Sequence, residues 1–424
     1  MTAAPTAGFR TYEVHQRARP ADITEKIKPR AFYSAAFLDD PYSILAVVRD
    51  NTPCYRDWVG NAYWLTRYDD VTSVFVDDAN FEPVRRTSTI AGFGRSFATE
   101  PTVVRCIADG TEAAASLLAT RVVDDVVSST NGTDLASEFA ARFSIELMAA
   151  VIGVPSDDRA WFATRFWRMS RSESWEPRSS VAAATASQDL RVYFDRLLTR
   201  RRAEGSGMTD LLSTISVLET PVGPTTGADV IATLLDQDHE TLRGSIANLW
   251  FLLLTHPDEL DRVRHDDRLL KFAYLEALRH STPRLAARRR ARHEVERFGR
   301  LLPQGALMIC SAAAANRDPR VFRDPDVFDV ARNDLCQREP RGQYRADGLP
   351  SGLAFGLGPP SRHPAVPEDR PRSTYALTRD TAVVASRELL VRAPKLRLAE
   401  GFAPRIHSLR LGEMHTCWSL PVVV

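Results

Sequence analysis

Five side chains that could move protons or hold charge crowd into one short stretch: Asp236, Asp238, His239, Glu240 and Thr241. A carboxylate held near an imidazole is a usual pairing for general acid or base work. Successive helical residues point about 100° apart, so the five cannot all face one substrate. Asp238 and Thr241, three positions apart, can share a face. One histidine with a carboxylate supplies fewer ligands than a metal site takes, so no metal centre is expected. Glu276 and Arg279 are also three apart, and such a pair, buried and bidentate, fixes geometry without reacting. Seven arginines fall between residues 284 and 300, with Arg288, Arg289, Arg290 and Arg292 nearly contiguous. That run reads as solvated surface or as a basic patch that would speed association with an acidic partner.

The elements that must position these groups are mainly helical. Apolar Leu135, Phe139, Phe143, Leu147 and Val151 recur every four residues and make 134–152 an amphipathic helix, stopped by Gly153-Val154-Pro155. Residues 229–254 read as one long helix whose second half, 246–254, is apolar on nearly every side and therefore deeply buried. Further helices are expected at 161–198 with a polar interruption at 170–180, at 258–264, at 271–280 and at 374–391. Asp69-Asp70 opens another, with Val71, Val74 and Phe75 on its apolar face. Tyr63-Trp64-Leu65-Thr66, 301–310 and 419–424 suit strands. Residues 85–130 give no single reading. Five prolines between 359 and 371 exclude a regular helix there. The first 30 residues are expected as a flexible arm, and 31–424 as one domain.

The 424 residues carry 55 Lys+Arg and 54 Asp+Glu, a net charge of +1, which argues against a phosphate-backbone binder. Five cysteines without CxxC spacing suggest neither a disulfide framework nor a cysteine-type zinc site. Residues 1–8 lack the pattern of a signal peptide, and the longest apolar run, 249–254, is too short to span a bilayer. A soluble cytoplasmic chain is expected, with neither nucleic acid nor membrane as a partner.

Glu276-Ala277-Leu278-Arg279 with Pro283, then Asn316-Arg317-Asp318-Pro319 and the stretch 321–329, resembles the ExxR element of the cytochrome P-450 family and the region after it. Residues 234–264, with His239-Glu240-Thr241, Ile246-Ala247-Asn248 and His256-Pro257, resemble the family's long central helix. Residues 63–81 resemble its N-terminal strand–helix unit, and Phe355-Gly356-Leu357-Gly358 the opening of its heme loop. Order and spacing hold over 39–424. The resemblance implies a mainly α, cytochrome P-450-like fold with a long central helix and small β-sheets, and a structural role for Glu276 and Arg279.

The chain departs from the family where the chemistry sits. The family's heme loop reads FGxGxHxCxG, and its cysteine thiolate promotes O–O cleavage. In that register Pro360 takes the basic position and Arg362 the ligand position, and arginine has no acceptor with which to bind iron. No cysteine lies between Cys336 and Cys417, and no histidine lies between His15 and His239 to meet a heme propionate. Gln237 and Asp238 replace the small pair above the porphyrin, while Glu240-Thr241 keeps the place of the acid–alcohol relay. Arg289 or Arg290 matches a propionate-binding arginine. His363, one residue past the ligand position, is the alternative ligand.

The resemblance therefore implies a protein without heme and without catalytic residues of its own. The relatives of this kind are the auxiliary proteins that activate or stabilise deoxysugar glycosyltransferases in macrolide and anthracycline biosynthesis, so the expected partner is a glycosyltransferase. Two other readings stand beside it. One is a heme-free acid/base enzyme, a cyclase or isomerase, using Asp238 and Glu240. The other is a hemoprotein monooxygenase with an unusual ligand such as His363. A vacated pocket of roughly 500 Å³, left empty at about 24 cal/mol per Å³, costs on the order of 12 kcal/mol. That rivals the stability of a domain, so the pocket must collapse, hydrate or fill.

Overall fold

Trp64 and Leu65 are buried in a strand because their stretch meets partners on both edges, one of them far along the chain. In the computed structural model five strands, β1 (Cys54–Asp57), β2 (Ala62–Leu65), β3 (Phe81–Pro83), β4 (Ala287–Ala291) and β5 (Leu307–Cys310), form one sheet in the order β1-β2-β5-β4-β3. The helices that matter below are α1 (Tyr68–Phe75), α2 (Pro101–Val127), α3 (Arg142–Ile152), α4 (Gly227–Leu235), α5 (His239–Thr255), α6 (Leu269–His280) and α7 (Thr374–Arg392). The structure describes residues 30–84, 94–129, 132–170, 177–205, 209–221, 223–237, 239–336, 350, 352–354, 373–409 and 414–424. Internal contacts divide the chain into two units.

The first unit comprises Met1–Val84, Asn248–Val366 and Pro404–Trp418. Its sheet pairs β1 with β2 antiparallel, β2 with β5 parallel (Ala62 opposite Leu307, Leu65 opposite Cys310), and β5 with β4 antiparallel. Phe32 stacks on Trp64 with ring centroids 4.4 Å apart, and Phe37 meets the same indole edge-on. The β1–β2 turn is held by Asp57, whose Oδ1 accepts from the Val59 and Gly60 amides while Oδ2 accepts from the Tyr33 hydroxyl at 2.6 Å. A Cβ at Gly60 would sit 2.1 Å from that hydroxyl, so a side chain there would displace the Tyr33–Asp57 hydrogen bond. Asn248, a buried polar residue in the apolar half of α5, is fully used. Its amide nitrogen donates to the Ser281 and His415 carbonyls, and its oxygen accepts from the Cys417 amide.

The second unit comprises Arg85–Ala247, Pro367–Ala403 and Ser419–Val424. The expected helix over 134–152 is present in two parts: a π-helical stretch, Leu135–Ala141, runs directly into α3. Asp134 caps it through the Ala136 amide at 2.8 Å, and Gly153 ends it with φ of 89°. Phe97, Met148, Ile152, Phe162, Phe166 and Phe194 belong to its main apolar cluster. The stretch without a single reading contains the 27-residue helix α2.

One expectation is corrected. Residues 229–254 do not form one helix; α4 ends at Leu235 and α5 begins at His239. Thr226 and Asp229 make a reciprocal capping box at the start of α4, and the Gln237 amide turns back to the Leu234 carbonyl at 3.1 Å. Aspartates at 236 and 238 are poor helix-interior residues because their side chains compete for nearby backbone amides. The apolar half is nonetheless as buried as its composition requires, with Ile246, Leu249, Trp250 and Leu253 at most 1% exposed.

Candidate functional site

Glu276 and Arg279 project from α6 into a closed polar network in the first unit. Arg279 Nε and Nη2 donate to the two carboxylate oxygens of Glu276, each at 2.7 Å, and the two side chains are 1% exposed or less. The remaining donors of Arg279 reach the carbonyls of Asn316 (2.9 Å), Pro325 (2.7 Å) and Val327 (3.1 Å). Glu276 Oε1 also accepts from Arg332 Nε at 3.1 Å and from the Asp329 amide at 3.3 Å. Asn316 extends the network, accepting from the Leu353 amide at 2.8 Å and donating to Thr282 Oγ1 at 2.9 Å. Asp318 accepts from the Tyr68 amide at 3.1 Å and thereby ties α1 to the Asn-Arg-Asp-Pro turn. Every donor of Arg279 is in use, so the arrangement holds the 316–332 segment against α6 and leaves no group for a substrate.

A cavity lies within the second unit. Its walls come from α2 (Ile107, Thr111), α3 (Leu147, Met148, Val151, Ile152), the α4–α5 break (Leu234, Gln237, His239, Leu242) and the first turns of α7 (Thr374, Leu377, Thr378, Thr381), with Leu211 completing them. Its enclosed volume is about 60 Å³, small against the roughly 300–1,000 Å³ usual for a ligand pocket. Ser144 Oγ donates to the His239 carbonyl at 3.0 Å and fixes the start of α5 against α3.

The structure thus brings Gln237 and His239 to one cavity and does not bring Glu240 or Thr241 there; Thr241 is fully buried. Glu276 and Arg279 belong to the separate network. Asp238, and Phe355, Gly356, Gly358, Pro360, Arg362 and His363 of the degenerate loop, lie outside the described residues. Arg289 is on β4, its guanidinium 4.9 Å over the Phe75 ring, with burial lowering its pKa. Among the described residues no three His, Cys, Asp or Glu side chains gather as metal ligands, and no helix is long and apolar enough to cross a membrane. Two parts escaped the sequence reading. Arg332 falls in an irregular segment with no periodicity. The α7 wall carries threonines at 374, 378 and 381, a helical spacing that could have marked one face.

The group that the resemblance implies for this fold is a thiolate-bound heme, and the donors present do not fit it. All five cysteines fall among the described residues, and none lines the cavity. Burial pushes the Cys54 and Cys310 thiols up to about 12, and Cys106, also raised by burial, donates to the Thr209 carbonyl. A thiol held protonated is a poor metal ligand. Among the described residues no arginine or lysine lines the cavity to meet a propionate.

No family model matches the chain. Over 395 residues it is 26% identical to the biotin biosynthesis cytochrome P-450 of Bacillus subtilis, covering 87% of this chain and 92% of that one. Over 247 residues it is 28% identical to the 20-oxo-5-O-mycaminosyltylactone 23-monooxygenase of Streptomyces fradiae, covering 57% of this chain and 53% of that one. Among solved structures, ligand-free cytochrome P-450 TbtJ1 superposes with a TM-score of 0.73 at 23% identity, covering 91% of this chain and 98% of that one. The sequence relatives and the shared architecture together make this chain a homologue of the cytochromes P-450, with their mostly helical fold and small sheets.

Proposed function

We propose that the chain is a heme-free cytochrome P-450 homologue that acts as the activating or stabilising partner of a glycosyltransferase using a TDP-deoxysugar in antibiotic biosynthesis. The observation that carries this reading is the split between scaffold and chemistry. The Glu276–Arg279 network is complete, whereas no cysteine lines the cavity and the thiols of Cys54 and Cys310 are held protonated by burial. A fold maintained without its reactive group is suited to recognition by shape. An activator of this kind works by binding the competent conformation of its partner more tightly than the incompetent one, and equal affinity for both would activate nothing.

Co-expression with a macrolide or anthracycline deoxysugar glycosyltransferase tests the proposal. A complex that co-elutes in size exclusion, with a gain in transfer rate over the glycosyltransferase alone, is expected. Neither co-elution nor gain with any such enzyme sinks it. The second reading, a hemoprotein monooxygenase with an unusual ligand, is favoured by the chemistry named for the Streptomyces fradiae relative. An absorption spectrum and a pyridine-hemochrome assay on protein expressed with ample heme precursor decide between the two. Near-stoichiometric heme would favour the monooxygenase. A heme-free acid/base enzyme has less support, because His239 is the one titratable side chain lining the cavity among the described residues.

A further inference from the structure

Arg317 is a cation largely enclosed within the first unit. Its Nε and Nη2 donate to the His280 carbonyl at 2.9 and 2.7 Å, and its Nη1 donates to Asp326 Oδ1 at 3.1 Å. Its guanidinium lies over the Tyr42 ring, 3.7 Å from the centroid. Two imidazoles border this stack. Arg317 Nη2 is 3.4 Å from both ring nitrogens of His280, and His415 meets the Tyr42 ring edge-on at 5.7 Å.

The neighbours of His280 suit a neutral ring. Its Nε2 faces the Asp326 carbonyl at 3.1 Å, and its Nδ1 lies 3.0 Å from Ser281 Oγ. A second proton would make both nitrogens donors, set against the donors of Arg317. His415 is 2% exposed, with Nδ1 3.2 Å from Ser408 Oγ. The titratable groups acting on it are Arg317, Asp40 and His407, and those acting on His280 are Arg317, Arg279 and His256. The carboxylates of the cluster, Asp40 and Asp326, are exposed and therefore screened by water.

The parts around this stack are fastened differently. Helix Pro41–Asn51, which carries Tyr42, is anchored by Leu45 and Val48 in an apolar cluster. His415 belongs to the antiparallel strand pair Ile406–Ser408 with His415–Cys417. Discrete polar bonds tie that pair down: the His415 amide to the Pro283 carbonyl at 2.8 Å, two bonds to Asn248, and Arg405 to Asp39 at 2.6 Å. An element held so can part from the rest without global unfolding.

We propose that this strand pair is an acid-operated latch, which leaves Tyr42 and Arg317 as the pH falls and carries His415 into water, where the ring takes up a proton. Burial, reinforced by Arg317, holds the enclosed His415 down at about 3, whereas the released ring protonates near 6.5. The open form thus binds the extra proton. The latch is fully closed above pH 6.5, and its open population grows by up to about tenfold per pH unit below that. The inference does not rest on the glycosyltransferase reading, since the latch needs no partner and is tested on the chain alone.

Hydrogen–deuterium exchange of the full chain at pH 7.5, 6.5 and 5.5, normalised to intrinsic rates, tests it. A peptide covering 404–418 should be at least tenfold less protected than one covering α6 at pH 5.5. Its protection should fall about fivefold between pH 6.5 and 5.5. His415→Asn should reduce that fall to less than twofold. If this variant fails to fold, His415→Phe, which retains a ring beside Tyr42, serves in its place. Equal protection of the two peptides at pH 5.5, protection of 404–418 that does not change with pH, or an undiminished fall in the folded variant would each overturn the proposal.

Discussion

The Glu276–Arg279 network and the Gln237 cavity place their polar side chains in opposite settings, one closed and one open. In the network every donor of Arg279 is matched, to the Glu276 carboxylate and to three carbonyls. In the cavity the side chains of Thr111, Thr378 and Thr381 line an open space among apolar neighbours. A closed ionic network tolerates no change, because removing one member strands a charge in low dielectric. A neutral, open-mouthed cavity can change its lining one residue at a time at small cost.

The comparison can be broken at the network first. Arg279→Ala leaves Glu276 buried without its bidentate partner and should cost about 3–5 kcal/mol, read as a large fall in the urea midpoint or as failure to fold. Arg279→Ala at less than about 1 kcal/mol would mean that the network is not what holds the 316–332 segment. Next comes Asn316→Ala, which strands the Leu353 amide and removes the donor to Thr282 Oγ1. A loss of about 2 kcal/mol is expected in the same assay.

Acid should act on the first unit in a defined window. Burial, reinforced by Arg317 and Arg279, holds His280 down at about 2, and burial with Arg317 holds His415 down at about 3. Both stay neutral in the folded protein, while their unfolded forms protonate near 6.5. Below that pH the unfolded state binds more protons, so stability is full above pH 6.5 and falls as pH drops towards the folded values. The slope is up to about 1.4 kcal/mol per pH unit for each histidine. Urea midpoints at pH 7.5, 6.5 and 5.5 should show it, and His280→Gln should remove roughly half of the fall. The smallest effect belongs to the cavity. Thr378→Val deletes a hydroxyl at the cavity wall, and its melting midpoint should correspond to within about 0.5 kcal/mol of the parent. A loss as large as that of Asn316→Ala would erase the distinction between the two regions.

Local signals with a single physical cause were legible in the sequence. Glycine at 153 supplies the left-handed stop that the run Gly-Val-Pro suggests, and the i, i+3 pair of Glu276 and Arg279 meets as its spacing requires. The apolar half of α5 is buried for the reason that its composition implies. The cavity was half legible. Gln237 stands out by departing from a small pair, but the facing wall is drawn from α2 and α7, helices that mix small, polar and apolar residues around their whole circumference. Thr111 lies in a stretch rich in alanine, threonine and glycine that favours no one element, and periodicity cannot see it. The break after Leu235 went unread because apolar periodicity continues on both sides of it, while the competing aspartates act through local hydrogen bonding.

The parallel pairing of β5 with β2 sets a schedule for synthesis. Ala62–Leu65 leaves the ribosome with β1 as a hairpin, yet the strand that covers its other edge begins only at Leu307. At about 5–20 residues per second that edge waits on the order of ten to fifty seconds for its neighbour. Throughout that interval it offers unpaired backbone amides and carbonyls beside Trp64 to any other nascent chain. A ribosome stalled before residue 310 would release a hairpin that can pair only with strangers, so heterologous yield should respond to elongation rate and chaperone supply.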